Sequence, residues 1–237
     1  MAAPTDSRGA AAIFAAVWDT RRMTGQSKIL SFALICVVGI AGITASLLWR
    51  HPAAPVDLVT GTYLTPSRAL PDFSLIDQQG KVFGSANLRG HWSLLFFGYT
   101  NCPDFCPATL TTLAALQKRL RAAGSPTLPQ VIFVSVDAKR DTPAQLAKYV
   151  PYFDPGFIGL TAPDQPSIEA VAKQLGVAVL IRPAADGSYT VDHSGAIFVL
   201  NPDGRLAAIL TGPFTVDAIQ GDFRRIVNAR QSLAGRA

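Results

Sequence analysis

The chain has 237 residues, 49% of them hydrophobic and 16% charged. That length suits one ordinary domain with flanking segments, and the composition excludes a polytopic membrane protein while leaving room for one stretch out of water. The net charge of +5 is gathered early: residues 1–50 hold Arg8, Arg21, Arg22, Lys28 and Arg50 against Asp6 and Asp19, so the remainder has a surplus of only two, which excludes a basic nucleic-acid surface.

Residues 1–28 are Ala-rich and polar without an apolar period, and read as a cytoplasmic tail. Residues 29–49 form 21 positions without a charge. At about 1.5 Å per helical residue they span roughly 30 Å, the thickness of a bilayer's hydrocarbon core. Trp49 and Arg50 stand where an interfacial anchor belongs, and Cys36 inside the run is a small apolar residue of the helix. A cleaved signal has a shorter core and a small-residue exit, so the stretch reads as a retained transmembrane helix. The basic tail stays inside and the rest crosses. Residues 50–69, with Pro52, Pro55, Gly61 and Pro66, read as a tether.

The globular part is expected over 70–237. Short strands fall at 73–76 and 81–83 about the Gln78-Gln79-Gly80 turn, and 92–98 is a continuous apolar run, the mark of a strand buried on both faces. Cys102 and Cys106 follow, then a helix to about residue 123 with Pro107 at its first position. A second buried strand covers 131–136. Thr142 caps a helix that runs to about residue 149. After a short strand at 157–160 come a helix at 166–175 that stops at Gly176 and an extended stretch at 177–181. Strands at 196–200 and 206–210 pair about Asn201-Pro202-Asp203-Gly204, and 215–231 closes the chain as a helix. Alternation early and a hairpin late give an α/β, thioredoxin-like mixed sheet flanked by helices.

Cysteines four apart at a helix start put both sulfurs on one side of a turn, near its positive end, where thiolate is favoured. Such a pair binds a soft metal or forms a redox-active disulfide. A metal wants a third ligand. His51 lies in the tether, and His91 opens the strand far from the thiols. His193 enters the strand at 196–200, which in this fold runs antiparallel to 92–98, so it can reach the cysteines; topology alone leaves it equally a loop histidine. Thioredoxin-like reductases carry a cis-proline there and two residues between their cysteines. Asp192-His193-Ser194 and a three-residue gap favour a metal.

FGYTNCPDFCP (97–107), VSVDAKRDTP (134–143) and VDHSGAIFVLNPDGRL (191–206), with PDFSLIDQQGK (71–81), resemble the Sco/SenC family of copper chaperones. Ala138 departs from the family's usual proline. The resemblance implies a metallochaperone rather than an enzyme, with Cys102, Cys106 and His193 holding one copper ion, Cu(I) or Cu(II). It implies delivery to the binuclear copper centre of cytochrome c oxidase subunit II, or reduction of that client's thiols. An upstream periplasmic copper carrier or thiol reductase would supply it. The expected place is a bacterial inner membrane with the domain in the periplasm, the mitochondrial inner membrane being the alternative. Asp192, Asp104 and Asp137 are candidates for support around the metal, against turn or surface roles. Tyr99 reads as packing, and Lys139, Arg140 and Asp141 as surface pairs. A thiol-disulfide oxidoreductase is the competing reading. A thiol peroxidase lacks a recognisable peroxide pocket, and an adaptor would need no paired thiols.

Overall fold

The computed structural model describes residues 25–48 and 56–235. The tail over 1–24, the anchor residues Trp49 and Arg50, and His51 lie outside the described residues. The chain divides into two units, Met1–Ala54 and Pro55–Ala237.

In the first unit, α1 covers Gly25–Leu48. Side chains are described only between 32 and 44; Phe32, Ile35 and Val38 are among the exposed apolar ones, and Cys36 is exposed as well. Among the described residues no helix is long and apolar enough to cross a membrane, and the uncharged run of 29–49 extends beyond those side chains on both sides.

The second unit is built on an eight-stranded sheet. In chain order its strands are β1 (Gly61–Arg68), β2 (Ser74–Asp77), β3 (Val82–Gly84), β4 (Ser93–Gly98), β5 (Gln130–Ser135) and β6 (Ile158–Thr161), then β9 (Ile197–Leu200) and β10 (Leu206–Leu210). Across the sheet they run β1-β10-β9-β4-β5-β6-β2-β3. The pairs β4–β5 and β5–β6 are parallel; β9 lies antiparallel to β4, with Phe96 opposite Ile197 and Ser93 opposite Leu200. The remaining strands, β7 (Val179–Pro183) and β8 (Tyr189–His193), form a separate hairpin. The helices are α2 (Phe105–Ala122), α3 (Pro143–Phe153), α4 (Gln165–Gln174) and α5 (Val216–Ala234).

Alternation along the central strands divides the core. Leu94, Phe96, Val131, Phe133, Ile197 and Val199 face one layer with Leu110, Leu113 and Leu116 of α2 and Phe223 and Ile226 of α5. Leu95, Phe97, Ile132, Val134, Phe198 and Leu200 face the other with Ile168 and Val171 of α4. Each buried side chain of this size stabilises the fold by about 1.5–3 kcal/mol, so β4 and β5, loaded on both faces, form a rigid platform. The exit of β4 is therefore a fixed point.

Two boundaries differ from the sequence reading. The tether does not extend to residue 69: Gly61–Arg68 is β1, paired with β10. Pro66 suggested a linker, yet an edge strand tolerates proline on its unpaired side. Helix α3 continues past 149 through Pro151 to Phe153, with Thr142 as the expected cap, accepting from Gln145 N at 3.3 Å. Strand β8 goes beyond the sequence expectation, although the Asp186-Gly187 turn and the alternation of Tyr189 to His193 are its sequence signals; Gly187 takes the positive φ of 83° that the turn needs.

Candidate metal centre

β4 ends at Gly98 and the chain turns once before α2. A buried carboxylate shapes that turn: Asp141, fully buried, accepts from Thr100 N at 2.9 Å, Thr100 Oγ1 at 2.6 Å and Ser135 Oγ at 2.6 Å. In the turn that follows, Cys102 N donates to Tyr99 O at 3.2 Å, and the Cys102 sulfur accepts from the Cys106 amide at 3.4 Å. That amide is one of the unpaired donors of the first turn of α2. The helix starts at Phe105, so Pro107 is its third residue rather than its first. Cys106 thereby falls on the buried stripe with Thr109, Leu110 and Leu113. Its sulfur packs against the end of β4, where a Cβ on Gly98 would come within 2.8 Å of Sγ. Only glycine admits the sulfur there.

His193 ends β8, and the antiparallel run of β9 along β4 brings it to the same place. Its Nε2 lies 3.5 Å from Cys106 Sγ. Its Nδ1 faces the Ser194 carbonyl at 3.2 Å; a carbonyl only accepts, so the proton belongs on Nδ1 and the Nε2 lone pair faces the sulfur. The rings of Phe96, Tyr99 and Phe105 surround the imidazole, at 6.2, 6.1 and 6.4 Å between centroids. Phe105 fits because Gly195 has no side chain; a Cβ there would meet its ring at 2.6 Å. The two sulfurs and the imidazole nitrogen lie within 4.8 Å of one another. That is the spacing three donors present to one ion with bonds of about 2.0–2.3 Å.

The electrostatics depart from one expectation. Burial pushes the Cys106 thiol well above its ordinary range, and the hydrogen bond with Cys102 adds to the effect. Desolvation outweighs the helix end, which is worth about 0.3–1 kcal/mol. Burial also lowers the His193 pKa, against the Ser194 carbonyl and Asp192. Both shifts favour a neutral imidazole facing a protonated Cys106 thiol, and Cys102 and Cys106 are free cysteines.

The three proposed supporting acids are not alike. Asp192 pairs with Arg182 across the hairpin, and the ring's second nitrogen meets Ser194 instead. Asp104 is the exposed N-cap of α2 and makes no side-chain cap bond. Asp137 is buried, but pairs with Arg140 and accepts from Tyr189 Oη at 2.9 Å, outside the sulfur–imidazole cluster. His91 is exposed at the far end of β4. The expectation of surface pairs at Arg140 and Asp141 does not hold: Asp141 is fully buried and Arg140 half-buried. A buried acid carries no mark in the sequence, since its burial depends on which strands flank it.

A thioredoxin-like domain with one thiol in the turn before a helix, a second on that helix's first turn and an imidazole facing them has the donors of a soft-metal or thiol-exchange site. Comparison narrows the class: the SCO1/SenC family model matches residues 62–228, and the chain belongs to that family. It is 39% identical over 165 residues to the mitochondrial SCO2 homolog of Bos taurus, covering 68% of this chain and 61% of that one. It resembles the structure of Arabidopsis thaliana ScoI with copper bound (TM-score 0.64, 33% identity, 67% of this chain and 98% of that one). It also resembles BsSco, described as a member of the Sco family of cytochrome c oxidase assembly proteins in which a disulfide switch was identified (TM-score 0.55, 28% identity, 69% and 94%).

Proposed function

We propose that this protein is a copper carrier for cytochrome c oxidase assembly, with Cys102, Cys106 and His193 as the ligands. The observation that carries the reading is the convergence of three donor atoms within 4.8 Å from two distant parts of the chain. The donor set fits the cargo: thiolates suit Cu(I) and imidazole also accommodates Cu(II). The copper-bound relative from Arabidopsis supports the choice of metal, and the BsSco description supports the client.

Loading displaces the Cys106 proton, because only the thiolate binds metal. Cys102 and His193 are half-buried and Cys106 is fully buried. An incoming client thiolate therefore approaches over Cys102 and His193, and Cys106 releases the ion last. The client is the binuclear copper centre of subunit II, and an upstream copper carrier or reductase readies the site. Residues 29–49 anchor the chain with its N-terminus in the cytoplasm and the domain in the periplasm; the mitochondrial inner membrane is the alternative, supported by the bovine relative's name. The test is Cu(I) stoichiometry and affinity for the wild type and for Cys102→Ser, Cys106→Ser and His193→Ala. One ion per chain is expected, with binding lost on either cysteine change and weakened at least tenfold by His193→Ala. Full affinity without His193 would refute the three-ligand site.

The two free thiols and the disulfide switch of BsSco favour a second reading, a thiol-disulfide oxidoreductase that reduces the client's cysteines. Under it, His193→Ala retains most thiol exchange, whereas a carrier holds its metal at least tenfold more weakly.

A further inference from the structure

The hairpin that brings His193 to the thiols shares no backbone ladder with the main sheet. Val191 is buried against the core midway along β8, and Tyr189 and Val179 of the hairpin pack beside it, but non-directional apolar packing leaves the aim of the strand's end open. The polar tie is at the other end. Arg140, on the loop after β5, pairs through Nε with the buried carboxylate of Asp137. Its Nη1 donates to the Tyr189 carbonyl at 3.1 Å. Its guanidinium lies 3.7 Å from the centroid of the Tyr189 ring, and Tyr189 Oη donates back to Asp137. Asp137 is itself fixed to β5, its amide donating to Ser135 Oγ at 3.0 Å. Tyr189 is the first residue of β8 and His193 the last, so the clamp sets the start of the strand whose end is the imidazole. A second path runs through space: the same guanidinium sits 5.6 Å from the Tyr99 ring, and Tyr99 meets the His193 ring edge-on at 89°. Arg140 Nη2 is buried with no hydrogen-bond partner among the described residues. A donor left unpaired in this way is costly, and the stack and two bonds hold it there.

We propose that Arg140 is a positioning residue for the metal centre, holding the β7–β8 hairpin through Tyr189, and Tyr99 against the imidazole, so that His193 Nε2 faces Cys106. The inference rests on the reading of His193 as a ligand. An outer partner that orients a metal-binding histidine is typically worth 10–100-fold in affinity, whereas a purely structural residue affects affinity regardless of whether the histidine is present.

The experiment is a double-mutant cycle on the full-length chain in detergent, reading Cu(I) affinity by chelator competition, with the His193 ring followed by NMR in the metal-free protein. Arg140→Gln is expected to weaken Cu(I) binding about tenfold in the presence of His193 and less than twofold in the His193→Ala background. It should also shift the His193 ring resonance towards that of a free imidazole. Tyr189→Phe keeps the ring stack and removes the bond to Asp137; it is expected to move the same two readouts in the same direction by less, and it decides the matter if Arg140→Gln does not fold. Equal losses in both backgrounds, or an unmoved ring, overturn the proposal. A wild type that binds no copper overturns the carrier reading instead, and the ring resonance of the metal-free protein still tests the positioning role.

Discussion

Cys106 shows how burial sets the chemistry of a thiol. Its place on the inner stripe of α2 keeps it protonated well above the ordinary range, so metal binding at neutral pH must expel that proton. Cu(I) affinity should therefore fall about tenfold for each pH unit of acidification per proton displaced, measurable by chelator competition between pH 6 and 8. The metal-free protein shows the same shift in its stability. Unfolded, this thiol ionises from about pH 8.5 upward while the folded one keeps its proton. The folded state then binds more protons, so stability is full below that pH and declines above it. Cys106→Ala should flatten the decline in urea unfolding at pH 8–10. The cysteine spacing was legible because both thiols belong to one local turn. The thiol's ionisation was not, since it depends on Leu110, Phe133 and their neighbours closing over it.

Among the elements, β1 carries the strongest correction. It joins the domain to whatever precedes residue 56, and α5 secures its approach. Asp222, fully buried on α5, accepts from Val59 N at 2.9 Å, Thr60 N at 2.8 Å and Thr60 Oγ1 at 2.7 Å. Replacing it by Ala removes the acceptor of these three donors and the ion-pair partner of Arg225, and should cost about 2–4 kcal/mol of stability. Hydrogen exchange should then show the β1–β10 ladder opening before β4 and β5 do. Those central strands were readable from their continuous apolar runs, because a strand buried on both faces has nothing else to be. β1 was not: its residues are half-exposed and it holds a proline, and its partner lies some 140 positions further along. The β7–β8 hairpin escaped in part for the same reason, most of its side chains being exposed.

For the whole molecule, the division after Ala54 separates the unit that contains α1 from the one that holds the donor cluster. Under the proposed function the first unit sets where copper is handed over, not how tightly it is held. A chain beginning at Pro55 should bind Cu(I) with unchanged affinity yet load a client in the same membrane at least tenfold more slowly, because tethering raises effective concentration without adding contacts. Stopped-flow transfer to a reconstituted client, with and without residues 1–54, measures the difference.

Local patterns of residues were enough for the α/β class, the central strands, the capped helix at Thr142 and the placement of two thiols close together about the start of one helix, since each depends on neighbours a few positions apart. Folding alone decided which acids are buried, where the domain begins, and that a separate hairpin delivers His193 to within 3.5 Å of Cys106. Those features depend on contacts between segments some 40 to 160 residues apart in the chain, and no local pattern encodes a distance between surfaces that meet only once the sheet has formed.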